Sequence, residues 1–176
     1  MFKFVENLVR KMTGNQEATP ATLPPPTVSP TALVPKDKEP LEPFNLKEDC
    51  PCCGYRTLQQ RGAYEICMLC NWEDDGQDTD TADDVRGAPN SDYSLTEARE
   101  NFKCYRVMYT PDRDQRGLGG DTELTYETKG LLMDALTEHL RTLDSTKQAA
   151  LEAEIVRLED VLSAESLRQF EELNNA

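Results

Sequence analysis

Cys50, Cys53, Cys67 and Cys70 are the residues whose type and spacing most clearly promise chemistry: two Cys-x-x-Cys pairs with thirteen residues between them. Thiols two residues apart can wrap a tight turn around an ion, and two such turns complete a tetrahedral four-sulfur site. Gly54 directly follows the first pair and permits the positive φ that such a turn needs. Zinc suits this donor set better than iron, because four-thiolate structural sites most commonly hold zinc and nothing in the chain suggests electron transfer. The expectation is one structural Zn2+ in a closed site. The intervening residues are expected to form a short hairpin, Arg56 to Gln60 and Ala63 to Ile66 around a turn at Arg61-Gly62, which returns the chain to the metal.

Two cysteines remain. Cys52 lies inside the first pair and is expected to be the oxidation-sensitive thiol, whereas Cys104 is expected to be a small buried hydrophobe. Six cysteines could instead signal disulfides in an exported protein, but Met1 to Met12 lacks the apolar run of an export signal. Reduced thiols in the cytoplasm are the expectation.

Cys50-Pro51-Cys52-Cys53-Gly54-Tyr55-Arg56-Thr57-Leu58, Arg61-Gly62, Tyr64-Glu65-Ile66-Cys67 and Cys70 with Trp72-Glu73-Asp74-Asp75 follow one another in fixed order. With Asn90, Ser94-Leu95, Ala98-Arg99 and Asn101-Phe102 they resemble the bacterial cysteine-rich CPCC family over about residues 49–102. The resemblance implies a compact zinc-ribbon-like domain and supplies no reaction. Pro89 departs from that pattern, so the loop before Asn90 is expected to differ.

The elements that must position these residues are few. Ser94 and Glu97 resemble a capping box opening a helix through about Tyr105, with Leu95, Ala98, Phe102 and Tyr105 turned toward the thiol loops. After a Gly, Asp and Arg-rich loop, Leu132, Leu136, Leu140 and Leu143 make one helical stripe and Leu151, Ile155, Leu158 and Leu162 a second. A break at Asp144 to Thr146, with Ser145 and Gln148 as a capping box, folds these as a hairpin, and a further break is expected near Ser163. His139 falls on the first stripe and reads as a packed, satisfied histidine rather than a ligand or base. Phe2, Val5, Leu8, Val9 and Met12 predict a short amphipathic helix over 1–13, and eight of eleven prolines mark 14–44 as a disordered linker. The fold class is therefore α+β, with a metal-held domain at 45–110 and a helical tail at 122–174.

Net charge is −14, divided as about zero over 1–44, −6 over 45–110 and −8 over 111–176. No part is basic, so nucleic acid lacks electrostatic support as a partner, and no stretch is long enough to span a membrane. The acidic run Glu73, Asp74, Asp75, Asp78, Asp80, Asp83 and Asp84 lacks the alternating ligand order of a calcium loop and reads as solvated, with Arg99 paired to it. The function that fits is a non-enzymatic zinc-binding interaction module, engaging a protein or a second copy of itself through the acidic tail. A narrower alternative is an immunity-type inhibitor of a basic, nucleic-acid-cutting partner. A thiol- or metal-dependent enzyme ranks lower, because no nucleophile, base and orienting group come together in the sequence.

Overall fold

The computed structural model describes residues 47–117 and 119–175. The helix expected over 1–13 and the linker over 14–44 lie outside the described residues. The order of elements is β1 (Glu48–Asp49), β2 (Arg56–Leu58), a 3-10 turn (Thr79–Thr81), α1 (Leu95–Tyr105), α2 (Glu123–Arg141) and α3 (Ser145–Asn174). This is the expected α+β mixture of a small antiparallel hairpin and helices.

The hairpin lies elsewhere than expected. β1 pairs with β2, Glu48 opposite Leu58 and Asp49 opposite Arg56, so the strands flank the first thiol pair. Ala63 to Ile66 does not return along β2; Ile66 instead bridges Glu73 across the second pair. Each thiol pair thus sits at the tip of its own hairpin. Alternation in so short a segment fits either partner, and the turn geometry of each thiol pair decides between them.

Ser94 caps α1 by accepting from the Glu97 amide at 3.1 Å, while the Glu97 carboxylate turns outward to Arg113. Leu95, Ala98, Asn101 and Phe102 are buried on its inner face, whereas Tyr105, the last residue of the helix, is exposed rather than turned inward as expected. Asn101 Nδ2 donates to the Met108 carbonyl at 2.8 Å, and the Met108 amide donates to the Cys70 carbonyl at 2.8 Å. The segment after α1 is thereby tied to the second thiol loop.

α2 and α3 fold back on each other. His139 Nε2 lies 3.0 Å from Glu152 Oε1 near the connection, and Thr122 Oγ1 donates to Glu165 Oε1 at 2.8 Å near the other end. Asp144, rather than Ser145, caps α3: its Oδ1 accepts from the Thr146 and Lys147 amides at 2.9 and 3.0 Å. The Asp144 carboxylate reaches the orphan amides from outside the helix, where Ser145 is already its first residue. No break occurs at Ser163, whose hydroxyl donates back to the Glu159 carbonyl inside a continuous helix. Leu140 is exposed because the stripe drifts off the buried face at the end of α2, and Leu143 is exposed in the connection beyond Arg141. His139 is buried, as expected of a packed histidine.

One apolar core runs through both parts. Cys50, Leu58, Cys67, Leu69, Cys70, Trp72, Leu95 and Met108 form a single cluster with Leu132, Leu136, Ile155 and Leu158. Lys47 Nζ bonds Glu159 Oε1 on α3, adding a polar tie between the start of β1 and the helical hairpin. Among the described residues no helix is long and apolar enough to cross a membrane.

Glu165 contributes a pH-dependent share of this attachment. The Arg168 guanidinium, aided by the Thr122 hydroxyl, holds its carboxyl down to about 2. Its folded pKa lies below the unfolded value, so its stabilisation is present above about pH 4.3 and fades as pH falls toward 2. Solvent around half-exposed Arg168 trims the effect to about 1 kcal/mol. Acid titration of Glu165→Gln followed by helical circular dichroism should show a shallower loss of stability over that window than the parent chain; identical slopes would contradict it.

Candidate metal centre

The two thiol loops share one backbone frame. In the first, the Cys50 amide donates to the Tyr55 carbonyl at 2.9 Å and the Gly54 amide to the Cys50 carbonyl at 2.8 Å. In the second, the Cys67 amide donates to the Trp72 carbonyl at 2.9 Å and the Asn71 amide to the Cys67 carbonyl at 2.8 Å. Gly54 and Asn71 take the same place and both have positive φ, 76° and 64°. Asparagine is among the few side chains that tolerate this conformation, which makes Asn71 a position-specific residue that motif reading passed over. Asn71→Ala should cost about 1–2 kcal/mol in denaturant midpoint while Asn71→Gly stays within about 0.5 kcal/mol, because the strain and not the side chain dominates. Equal losses for both variants would locate the cost in the Asn71 contact with Arg116 instead.

These frames bring the four sulfurs together. The ligand atoms of Cys50, Cys53, Cys67 and Cys70 all lie within 4.8 Å of one another. Cys50 Sγ and Cys70 Sγ are 3.6 Å apart, and Cys53 Sγ and Cys67 Sγ 3.7 Å. Four sulfurs each about 2.3 Å from a central Zn2+ stand roughly 3.8 Å from one another, so the donor set fits a tetrahedral ion. Cys50, Cys67 and Cys70 are buried and Cys53 is half-buried.

Burial pushes the Cys53 and Cys70 thiols well above the ordinary range, and hydrogen bonds among the neighbouring sulfurs add to the rise. Cys67 moves the other way. Burial opposes the shift, but donors from Cys50, Cys53, Cys70 and the Thr57 hydroxyl outweigh it and hold Cys67 well below its usual value. Thr57 Oγ1 lies 3.0 Å from Cys67 Sγ and is buried, so it supports the sulfur from behind. Only its place in β2, unknown from the motif, marks it.

Residues 48–116 match the family described as Cysteine-rich CPCC. The resemblance read over 49–102 is borne out, and the CPCC segment extends beyond α1 to Arg116. Neither the curated proteins nor the solved structures hold a match to the chain. Within the CPCC segment, Arg99 Nε donates to the Pro51 carbonyl at 2.9 Å and joins α1 to the first thiol loop, while its Nη2 approaches Asp78 at 4.0 Å.

The acidic run of the CPCC segment divides by direction. Asp74 is fully buried, accepting from Arg61 Nε at 2.9 Å and from the Gly62 amide at 2.7 Å, and so closes the loop before the second thiol pair. Asp78, Asp80, Asp83 and Asp84 are exposed. Of the two spare thiols, Cys104 is exposed rather than buried as expected, and Cys52 is buried. Position 104 lies near the C-terminal end of α1 on the face away from Ala98 and Phe102, which its helical register dictates.

At the far end of the CPCC segment Arg116 binds Asp114 and Asp121, and Lys129 Nζ binds Asp121 Oδ2 at 2.6 Å. Lys129 is 2% exposed, and its burial lowers its pKa despite Asp121. Two cations and two anions balance here, beside Asn71 of the second thiol loop.

Proposed function

We propose that this chain is a non-enzymatic zinc-binding interaction module, in which Cys50, Cys53, Cys67 and Cys70 hold one structural Zn2+. The sulfur cluster carries this reading: its separations of 3.6 and 3.7 Å suit a tetrahedral ion, and four protein donors leave no open position for a substrate. Bound zinc would supply folding free energy to a segment with a small core rather than a reaction. Residues 45–110 then act as the metal-held platform and 122–174 as the tail it presents. Reduced thiolates suit the cytoplasm.

The tail also offers the partner surface. With 30 residues against 19, α3 outruns α2, and Gln169 reaches the Gly120 carbonyl just before α2 begins. Leu167, Phe170 and Leu173 lie exposed on the overhanging turns beside Glu171 and Glu172. A helix or loop with apolar side chains ringed by Lys and Arg complements such a surface.

Elemental analysis of the purified full chain tests the site, with one zinc per chain expected. Capture from native extract tests the surface: a basic partner should bind the parent, weaken as salt rises, and be lost with Leu167→Glu combined with Phe170→Glu while zinc content stays unchanged. A chain without metal would sink the first part, and partners indifferent to the double substitution would sink the second.

A further inference from the structure

We propose that Cys52 is a modification site for carboxylate-bearing low-molecular-weight disulfides, and that its reaction opens the four-sulfur site. Metal release presupposes the zinc reading above; modification of Cys52 does not.

Cys52 is a fifth sulfur at the cluster. It stands between Cys50 and Cys53 in the sequence and is buried in the same core as Cys50, Cys67 and Cys70. A cavity of about 760 Å³ opens beside it, lined by Cys52, the half-buried Cys53, Arg99, Glu100, Lys103 and Arg106, with Tyr55 and Phe102 as apolar walls. That volume lies within the roughly 300–1,000 Å³ of small-molecule sites. Three cations against one carboxylate give this cavity a positive wall in a chain of net charge −14. An anionic small molecule is therefore drawn to the one spare thiol that touches the cluster, whereas exposed Cys104 has no sulfur partner among the described residues.

The reaction balances as two exchanges. Cys52 sulfur attacks one sulfur of the external disulfide; that S–S bond breaks, and the departing thiolate takes the proton Cys52 gives up. Cys70 sulfur then attacks Cys52 Sγ, forming a Cys52–Cys70 disulfide and expelling the second thiolate, which is protonated by solvent. Two protein thiols are oxidised and one external disulfide is reduced to two thiols. Cys50, Cys53 and Cys67 remain as three donors, and the ion leaves.

The test uses the full chain carrying Cys104→Ser and oxidised glutathione as probe, with zinc release followed by a chromogenic chelator and the thiols located by peptide mass mapping. A Cys52 adduct or a Cys52–Cys70 disulfide is expected, with zinc loss at least ~10-fold slower in Cys52→Ser and in Cys52→Ala. Both variants are accepted as folded when their zinc content and Trp72 emission match the parent. Lys103→Gln should slow the reaction ~2-fold or more with glutathione disulfide and leave that with neutral hydroxyethyl disulfide unchanged. Adduct formation and zinc loss as fast in both Cys52 variants would overturn the site, and equal response of the two disulfides to Lys103→Gln would overturn its anionic preference. Should the purified chain hold no zinc, peptide mapping of Cys52 still decides the modification.

Discussion

Chelation of the metal should unfold the thiol loops and the helical hairpin together, in one transition, even though no cysteine lies in α2 or α3. The buried cysteines share one apolar cluster with Leu132, Leu136, Ile155 and Leu158, so losing the loops exposes the inner faces of both helices. Structural zinc contributes about 10–16 kcal/mol to small metal-held folds, which matches or exceeds the ~5–15 kcal/mol stability of a typical domain. Cys67→Ser should act like chelation, because Cys67 meets Cys53 at 3.7 Å and Thr57 at 3.0 Å. Helical circular dichroism and the emission of Trp72, the single tryptophan and fully buried, are expected to fall at the same chelator concentration. Helical signal that survives while Trp72 becomes wet would show a tail that stands without the platform.

Asp121→Ala is expected to destabilise the chain by about 3–5 kcal/mol, far more than a surface charge would. The substitution strands Lys129, 2% exposed, and removes one of two carboxylates from Arg116. Combining it with Lys129→Met should restore a large part of the loss, since the cost is that of an unpaired buried charge rather than a missing attraction. Denaturant midpoints of the two singles and the double measure this. A double variant as unstable as Asp121→Ala would instead assign the loss to the ion pair of Asp121 with Arg116.

The gathering of Cys50, Cys53, Cys67 and Cys70 was legible in the sequence because a Cys-x-x-Cys pair encodes its own turn, so spacing alone carries the geometry. The α1 cap and the two helical stripes were legible for the same reason, being set by neighbours within one or two turns. What spacing does not encode is pairing between loops: the hairpin was expected between the thiol pairs and lies around each of them. Asp144 and Ser145 are adjacent polar residues able to cap, and only the path of the incoming chain selects the first. The shared core of loops and tail, the Arg116 network and the cavity beside Cys52 depend on contacts between distant segments. Cys104 shows how local pattern misleads, since a cysteine favours burial in general while its helical register here points it outward.

The matching frames of the two thiol loops give the site an approximate internal dyad through its centre. Gly54 and Asn71 are counterparts under that dyad, as are Tyr55 and Trp72. The exchange Gly54→Asn with Asn71→Gly is therefore a permutation at constant composition, and each loop serves as an internal control for the other. Any difference between the parent and the exchanged chain reports what surrounds the loops, α1 on one side and Arg116 on the other, rather than the loops themselves.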